Sequence, residues 1–310
     1  VSSLLLSDDR IDELTNPVAQ RIAEWGTPPR LIVTSAARYA DPQGTEAARF
    51  AAALRSVESS AAQDVPHIVM LDHASSNGVE EALRTRGAIV VPVGPGEEGL
   101  ARPYITAARI IDQISRRWTP LTMLKIELEK DAFAGHNLTS NYYLKAFEED
   151  YLDIATGVRD QQTWASMPFA LGNTESLLGY LIGELLDVTY DTPSGVLLLN
   201  AHGRALLQRT TTDKWEYLIS VPFLAHRLGL KAGTLPVWFT YDKEVAAEEN
   251  GSAVYDSKRA AQFALMWDYA HKLAIKNGRE IPPQLQVLAE RFMISLAGMR
   301  SVPASESPAH

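Results

Sequence analysis

The chain has 310 residues, 46% of them hydrophobic and 22% charged, which allows one large α/β domain or two small ones around a well-buried core. Its formal net charge of -9 argues against general binding to nucleic acid or anionic lipid, while leaving room for a local basic pocket that takes a diphosphate. The absence of cysteine excludes disulfides, thiolate nucleophiles and Cys-held zinc or iron–sulfur sites, and fits a reducing compartment.

Residues 8–25 place Ile11, Leu14, Val18 and Ile22 at helical spacing, and Gly26 breaks the pattern. Thr27-Pro28-Pro29 reads as a linker. Leu31-Ile32-Val33 is a short buried strand running into Thr34-Ser35-Ala36-Ala37. There follow an Ala-rich helix over 44–60, a strand over 67–71, a helix near 77–86, a strand over 88–93, a helix over 99–117 and a strand over 122–126. This alternation predicts a Rossmann-like, mostly parallel sheet with helices on both faces. Such sheets collect ligands at the carboxyl ends of their strands.

The second half is less regular. Strands are expected over 151–158, 196–199 and 235–240, and helices over 173–187, 214–228, 255–275 and 282–299, before a polar tail over 301–310. No strong linker interrupts the middle, so one domain over 1–310 is expected. No apolar run reaches the roughly 18–20 residues of a spanning helix. Val1–Leu6 is too short for a signal peptide, so the expected location is cytoplasmic.

Four segments could carry chemistry. Asp72 ends a buried strand and precedes Ser75, Ser76 and Asn77; it could hydrogen-bond a base or ribose, while the others suit a helix cap. Gly94-Pro95-Gly96-Glu97-Glu98-Gly99 precedes Arg102, whose guanidinium could face phosphate; the glycines match a dinucleotide fingerprint in letter only. The run Glu127-Leu128-Glu129-Lys130-Asp131 crowds acids at a strand end. In an extended chain Glu127 and Glu129 would share a face, and two hard oxygen ligands there suit Mg²⁺ or Mn²⁺ bridging a diphosphate. Between Asp187 and Gly195, either Asp187 or Asp191 could act as general base. There is no HExxH and no G-x-S-x-G, and His202 and His226 are the only histidines worth weighing as ligands.

The order of these features resembles the nucleotide-binding half of glycosyltransferases of the GT-A fold, over about residues 30–131. The likeness continues more weakly through Thr156-Gly157-Val158-Arg159, Ser166-Met167-Pro168, Glu175 and Thr192-Pro193-Ser194-Gly195, where it is similar to bacterial mannosylglycerate-synthase-like enzymes. The resemblance implies a nucleotide-diphospho-sugar transferase fold. Residues 28–131 would bind the nucleotide sugar, 132–245 the acceptor, and 246–300 would form C-terminal helices. It implies transfer of a sugar from a UDP- or GDP-sugar donor to a small-molecule hydroxyl acceptor. Thr34, Ser35, Asp72, Arg102, Glu127 and Lys130 would bind the donor, Glu129 would hold Mg²⁺ or Mn²⁺, and Asp191 would serve the acceptor. The family's D-x-D is here Glu127-Leu128-Glu129, followed directly by Lys130, which leaves open a metal-free site in which Lys130 neutralises the diphosphate. Two alternatives stand beside this reading. A sugar-phosphate nucleotidyltransferase would need a glycine-rich loop after the first strand, and Thr34–Arg38 has no glycine. An inactive nucleotide-sugar-binding protein of the same fold is the other. A homodimer is left open.

Overall fold

A computed structural model describes residues 4–25, 29–117, 120–130, 133, 137–138, 142–149, 151–188, 191, 194–239, 241–250 and 252–299. Thr27 and Pro28 of the linker, Asp131, Thr192, Pro193 and the 301–310 tail lie outside the described residues.

Ser7 caps the first helix, α1 (Asp8–Ala23), accepting from the Arg10 amide at 3.2 Å, and Ile11, Leu14, Val18 and Ile22 bury one stripe of it. The predicted alternation follows as β1 (Leu31–Ala37), α2 (Ala47–Ala62), β2 (His67–Asp72), α3 (Val79–Thr85), β3 (Ile89–Val93), α4 (Arg102–Ser115) and β4 (Thr122–Lys125). The second half adds α5 (Tyr142–Glu149), β5 (Ile154–Arg159), α6 (Gln161–Ser166), α7 (Phe169–Leu186), β6 (Leu197–Leu199), α8 (Ala201–Leu207), α9 (Tyr217–Arg227), β7 (Ala232–Val237), α10 (Lys243–Glu249), α11 (Ala253–Lys276) and α12 (Pro283–Met299).

The strands form one sheet in the order β3-β2-β1-β4-β6-β5-β7. β1 to β4 pair in parallel, as predicted, and β5 pairs in parallel with β7. β6 runs against both its neighbours, β4 and β5. Six carboxyl ends and the amino end of β6 therefore share one rim. The strand order steps outward from β1 to β2 to β3 and then jumps back to β4. A right-handed crossover must then carry α4 to the face opposite α2 and α3. The packing agrees: α4 lies on β1, β2 and β4 with α1 against it, while α2 packs on β2 and α3. Ala37, Val69, Leu71 and Val90 face the α2–α3 layer together with Ala53, Val57 and Leu83. The reversal of order between β1 and β4 creates the crevice where sheets of this kind bind ligands.

The chain packs as two compact units. One comprises Val1–Ser166 and Tyr190–Asp242 and contains the whole sheet. The other comprises Met167–Thr189 and Lys243–His310. In the second unit α7 packs on α11 and α11 on α12. The Phe263 and Phe292 rings meet at 4.9 Å, and Arg259 reaches Glu249 at 3.1 Å. Among the described residues no helix is long and apolar enough to cross a membrane.

β1 runs four residues beyond the predicted Val33. α5, α6, α8 and α10, which the periodicity does not reveal, have eight residues or fewer, too few for an apolar stripe to repeat.

Candidate functional site

The site lies where β4 ends. Lys125 is its last residue, paired with Thr34 of β1 on one side and Leu197 of β6 on the other. Because β6 runs backwards, the turn that feeds it, Ser194-Gly195, arrives at the carboxyl rim directly over Lys125. The Lys125 ammonium is buried and donates to the Gly195 carbonyl at 2.5 Å. It also lies 4.8 Å from the Tyr104 ring centre and 5.5 Å from that of Tyr217, so two aromatic faces take part in its solvation. Burial pushes its amine down to about 7; Glu127 opposes the shift and Lys130 adds to it. Lys130 is likewise buried. Its ammonium donates to the Ser194 carbonyl and stands 4.6 Å from the Phe239 ring centre. Ser194 in turn donates its hydroxyl to the Gly157 carbonyl at 2.8 Å, tying the turn to β5.

Glu127 is exposed, with a carboxylate oxygen 3.5 Å from the Lys130 ammonium. Gly195 closes over it with φ +70, and a Cβ there would sit 2.9 Å from Glu127 Oε1 and 3.4 Å from Lys125 Nζ. Only glycine combines that backbone with that approach.

Glu129 goes elsewhere. β4 stops at Lys125, and Glu127 to Lys130 form a turn in which the Lys130 amide donates to the Glu127 carbonyl at 3.2 Å. The extended-chain expectation that Glu127 and Glu129 share a face therefore fails. Leu128 drops into the core beside Ala37 and Leu71, and Glu129 accepts from the Tyr39 hydroxyl at 2.9 Å across the β1–β4 crevice. Burial raises both groups, Glu129 above the usual carboxylate range and Tyr39 above the usual phenol range.

Among the described residues, the Glu127–Glu129 pair does not fit a divalent ion. Mg²⁺ and Mn²⁺ want hard, anionic oxygens around them. One acid of the pair is bound to a phenol with its charged form disfavoured, and the other stands beside two ammonium groups. Among the described residues no three His, Asp or Glu side chains gather as a metal site.

The other predicted residues are distributed as follows. Thr34 and Ser35 are fully buried inside β1, Thr34 in register with Lys125; Thr34 donates to the Leu124 carbonyl at 3.4 Å and Ser35 pairs with His67 Nε2 at 2.9 Å. β1 continues past the end of β4 to Ala37. Asp72 does reach the rim, two strands from β4, where its Oδ1 accepts from the Ala74 amide at 2.7 Å and turns the chain toward α3. Ser75 and Ser76 do not cap α3; they join the loop after β2 to Tyr39 and Ala40 of the loop after β1. Arg102 opens α4, as expected, but its guanidinium folds back onto the Gly96 carbonyl. The amino end of α4 is already occupied by the Asp213 carboxylate, which accepts from the Ala101 and Arg102 amides, both at 2.9 Å. A Cβ on Gly99 would collide with that carboxylate, so the glycine there makes room for a cap. Asp191 is bound on three sides by Arg159: from its backbone amide at 3.1 Å, Nε at 2.7 Å and Nη2 at 2.5 Å. Trp164 covers that guanidinium at 3.9 Å.

Sequence reasoning missed Lys125 and Tyr104. The available signal was Lys125 itself, a charged residue closing an otherwise apolar strand, since lysines are almost never fully buried without a partner.

No protein-family model matches the chain, and no curated protein matches it in sequence. Solved structures do match in three dimensions. The crystal structure of glucosyl-3-phosphoglycerate synthase from Mycobacterium tuberculosis superposes with a TM-score of 0.50 at 14% identity, over 87% of this chain and 86% of that one. The same enzyme in complex with Mg²⁺ and uridine diphosphate gives a TM-score of 0.50 at 14% identity, over 87% and 84%. Its complex with phosphoglyceric acid gives 0.50 at 15%, over 87% and 85%. With the strand order and the rim described above, this likeness establishes the architecture: the chain adopts the GT-A fold, the α/β fold of nucleotide-sugar glycosyltransferases.

Proposed function

We propose that the chain transfers a sugar from a UDP- or GDP-sugar to a hydroxyl of a small acceptor. The observation that carries this reading is the cluster of Lys125, Lys130 and Glu127 at the carboxyl end of β4, beside the crevice of a GT-A sheet. The solved neighbour binds uridine diphosphate, which supports a nucleoside diphosphate as the ligand here. In such a transfer the bond between the sugar's anomeric carbon and the diphosphate oxygen breaks, and negative charge grows on the diphosphate. Preorganised cations at that position lower the barrier, typically by several kcal/mol. Buried ammonium groups suit the task because they are held in place before the charge develops. Asp72, on the same rim, is within reach of a base or ribose: two strand spacings, about 10 Å, separate it from β4.

A second reading, nucleotide-sugar binding without transfer, is favoured by one observation. Asp191, the carboxylate expected to act on the acceptor, is committed to Arg159. Incubation with a panel of UDP- and GDP-sugars, following release of the free nucleoside diphosphate, separates the readings. Release with at least one donor supports the transferase. Binding with no release on any donor, tested with phosphorylated and unphosphorylated hydroxyl acceptors, leaves the binding reading. Absence of both ends the proposal.

A further inference from the structure

Among the described residues, the charge at the end of β4 does not suit a divalent ion. Glu129 is drawn across the crevice to Tyr39, 2.9 Å away. Glu127 has the Lys130 ammonium at 3.5 Å, and Lys125 lies under the same glycine that covers Glu127. A dication brought to Glu127 would meet two ammonium groups in a partly desolvated setting, where like charges repel strongly. An anion brought to the same place would be attracted by both. The lysines are also built in. Each is fixed by a backbone carbonyl and an aromatic face, Lys125 by Gly195 with Tyr104 and Tyr217, and Lys130 by Ser194 with Phe239. Lys130, and Lys125 below about pH 7, are cations clamped by largely neutral partners around the Glu127 carboxylate, an arrangement that favours an anion over a dication.

We propose that Lys125 and Lys130, rather than a metal ion, neutralise the diphosphate of the ligand bound at this rim. This rests on the reading of the site as one for a nucleoside diphosphate. The partners of the ammonium groups are few, and an ammonium has three N–H donors, so each lysine can keep its carbonyl and still offer hydrogen to a phosphate oxygen. The diphosphate then sits over Glu127, and that carboxylate weakens anion binding.

Glu127 is exposed, so its substitution probes the anion site from the surface. Titration calorimetry of the full chain with UDP and GDP is run in chelator and again in Mg²⁺ or Mn²⁺. The expected result is that at least one nucleotide binds with a Kd that agrees within about threefold across these conditions, that Glu127→Gln binds it equally or more tightly, and that Lys130→Gln loses at least about tenfold. Binding that appears only with the metal overturns the proposal. So does a loss of about tenfold or more in Glu127→Gln, as expected for removal of a metal ligand. If Lys130→Gln fails to fold, as judged by its thermal melt, Glu127→Gln and the chelator comparison decide between the two outcomes. Failure of every nucleoside diphosphate to bind, with or without metal, would instead defeat the functional reading on which the proposal stands.

Discussion

His67 offers a quantitative test of how the sheet beside the site is built. It is the first residue of β2 and fully buried, with Nε2 at 2.9 Å from the Ser35 hydroxyl and Nδ1 at 3.1 Å from that of Ser60. Burial lowers its pKa from 6.5 to about 3. Between those values the unfolded chain carries a proton on this residue and the folded chain does not. The unfolded state binds more protons, so stability rises with pH in this window and falls as the solution is acidified. Each unit of difference is worth about 1.4 kcal/mol, so acidification from pH 7 to pH 5 should remove about 2 kcal/mol through His67 alone. The full effect, reached near pH 3, would approach about 5 kcal/mol. The assay is chemical denaturation at pH 7 and pH 5 of the wild type and of His67→Gln, an amide that can hydrogen-bond both serines but does not titrate. The variant should be less stable at pH 7, yet its loss between pH 7 and pH 5 should be smaller than the wild type's by about 2 kcal/mol. Equal losses would refute the argument, since His67 would then titrate alike in the folded and unfolded chain.

Asp191→Asn tests the ion pair: with Arg159 left buried and charged, stability should fall by about 3 kcal/mol, seen as a lower melting temperature, and any loss of transfer should follow that instability. An unchanged melt combined with lost transfer would return Asp191 to the role of base. Asp213→Ala should cost about 1 kcal/mol by uncapping α4, and Asp213→Asn should recover most of it; equal stability of all three proteins in a thermal melt would show that the cap does not matter.

The parallel half of the sheet was legible because its strands are buried on both faces and read as short apolar runs bounded by turn residues, while the intervening helices are long enough to show their period. The rim was legible only as a region. Thr34 and Ser35 looked like the end of a strand because the apolar run stops at Val33. A polar residue can continue a buried strand when a partner across the sheet satisfies it, and His67 and the Leu124 carbonyl, which do so, are distant in sequence. The same limit applies to Glu129. Whether an acid after a strand faces a ligand or a neighbouring loop depends on the turn that follows, and here Leu128 takes the core position and sends Glu129 toward Tyr39. Asp191 was expected to act as a base, and Asp213 drew no reading. Their partners, Arg159 and the α4 amides, lie 32 and about 111 residues away and meet them only once the sheet is assembled.

The antiparallel strand explains why the site takes this form. β6 has three residues, and its entry turn must change direction at the rim, leaving the Ser194 and Gly195 carbonyls without strand partners in a buried setting. Buried carbonyls need donors. Lys125 and Lys130 supply them, and lysine suits the position better than arginine. Its compact ammonium fits between a carbonyl and an aromatic face, and it has three donors to share, where a guanidinium would demand a planar partner. The requirement of the turn thus places two lysines at the end of β4, beside Glu127. On the proposed reading, the same two residues would meet the fold's need for donors under β6 and a diphosphate's need for cations. A substitution there should therefore alter the melt and the nucleotide affinity together, whereas substitution of the exposed Glu127 should alter affinity more than the melt.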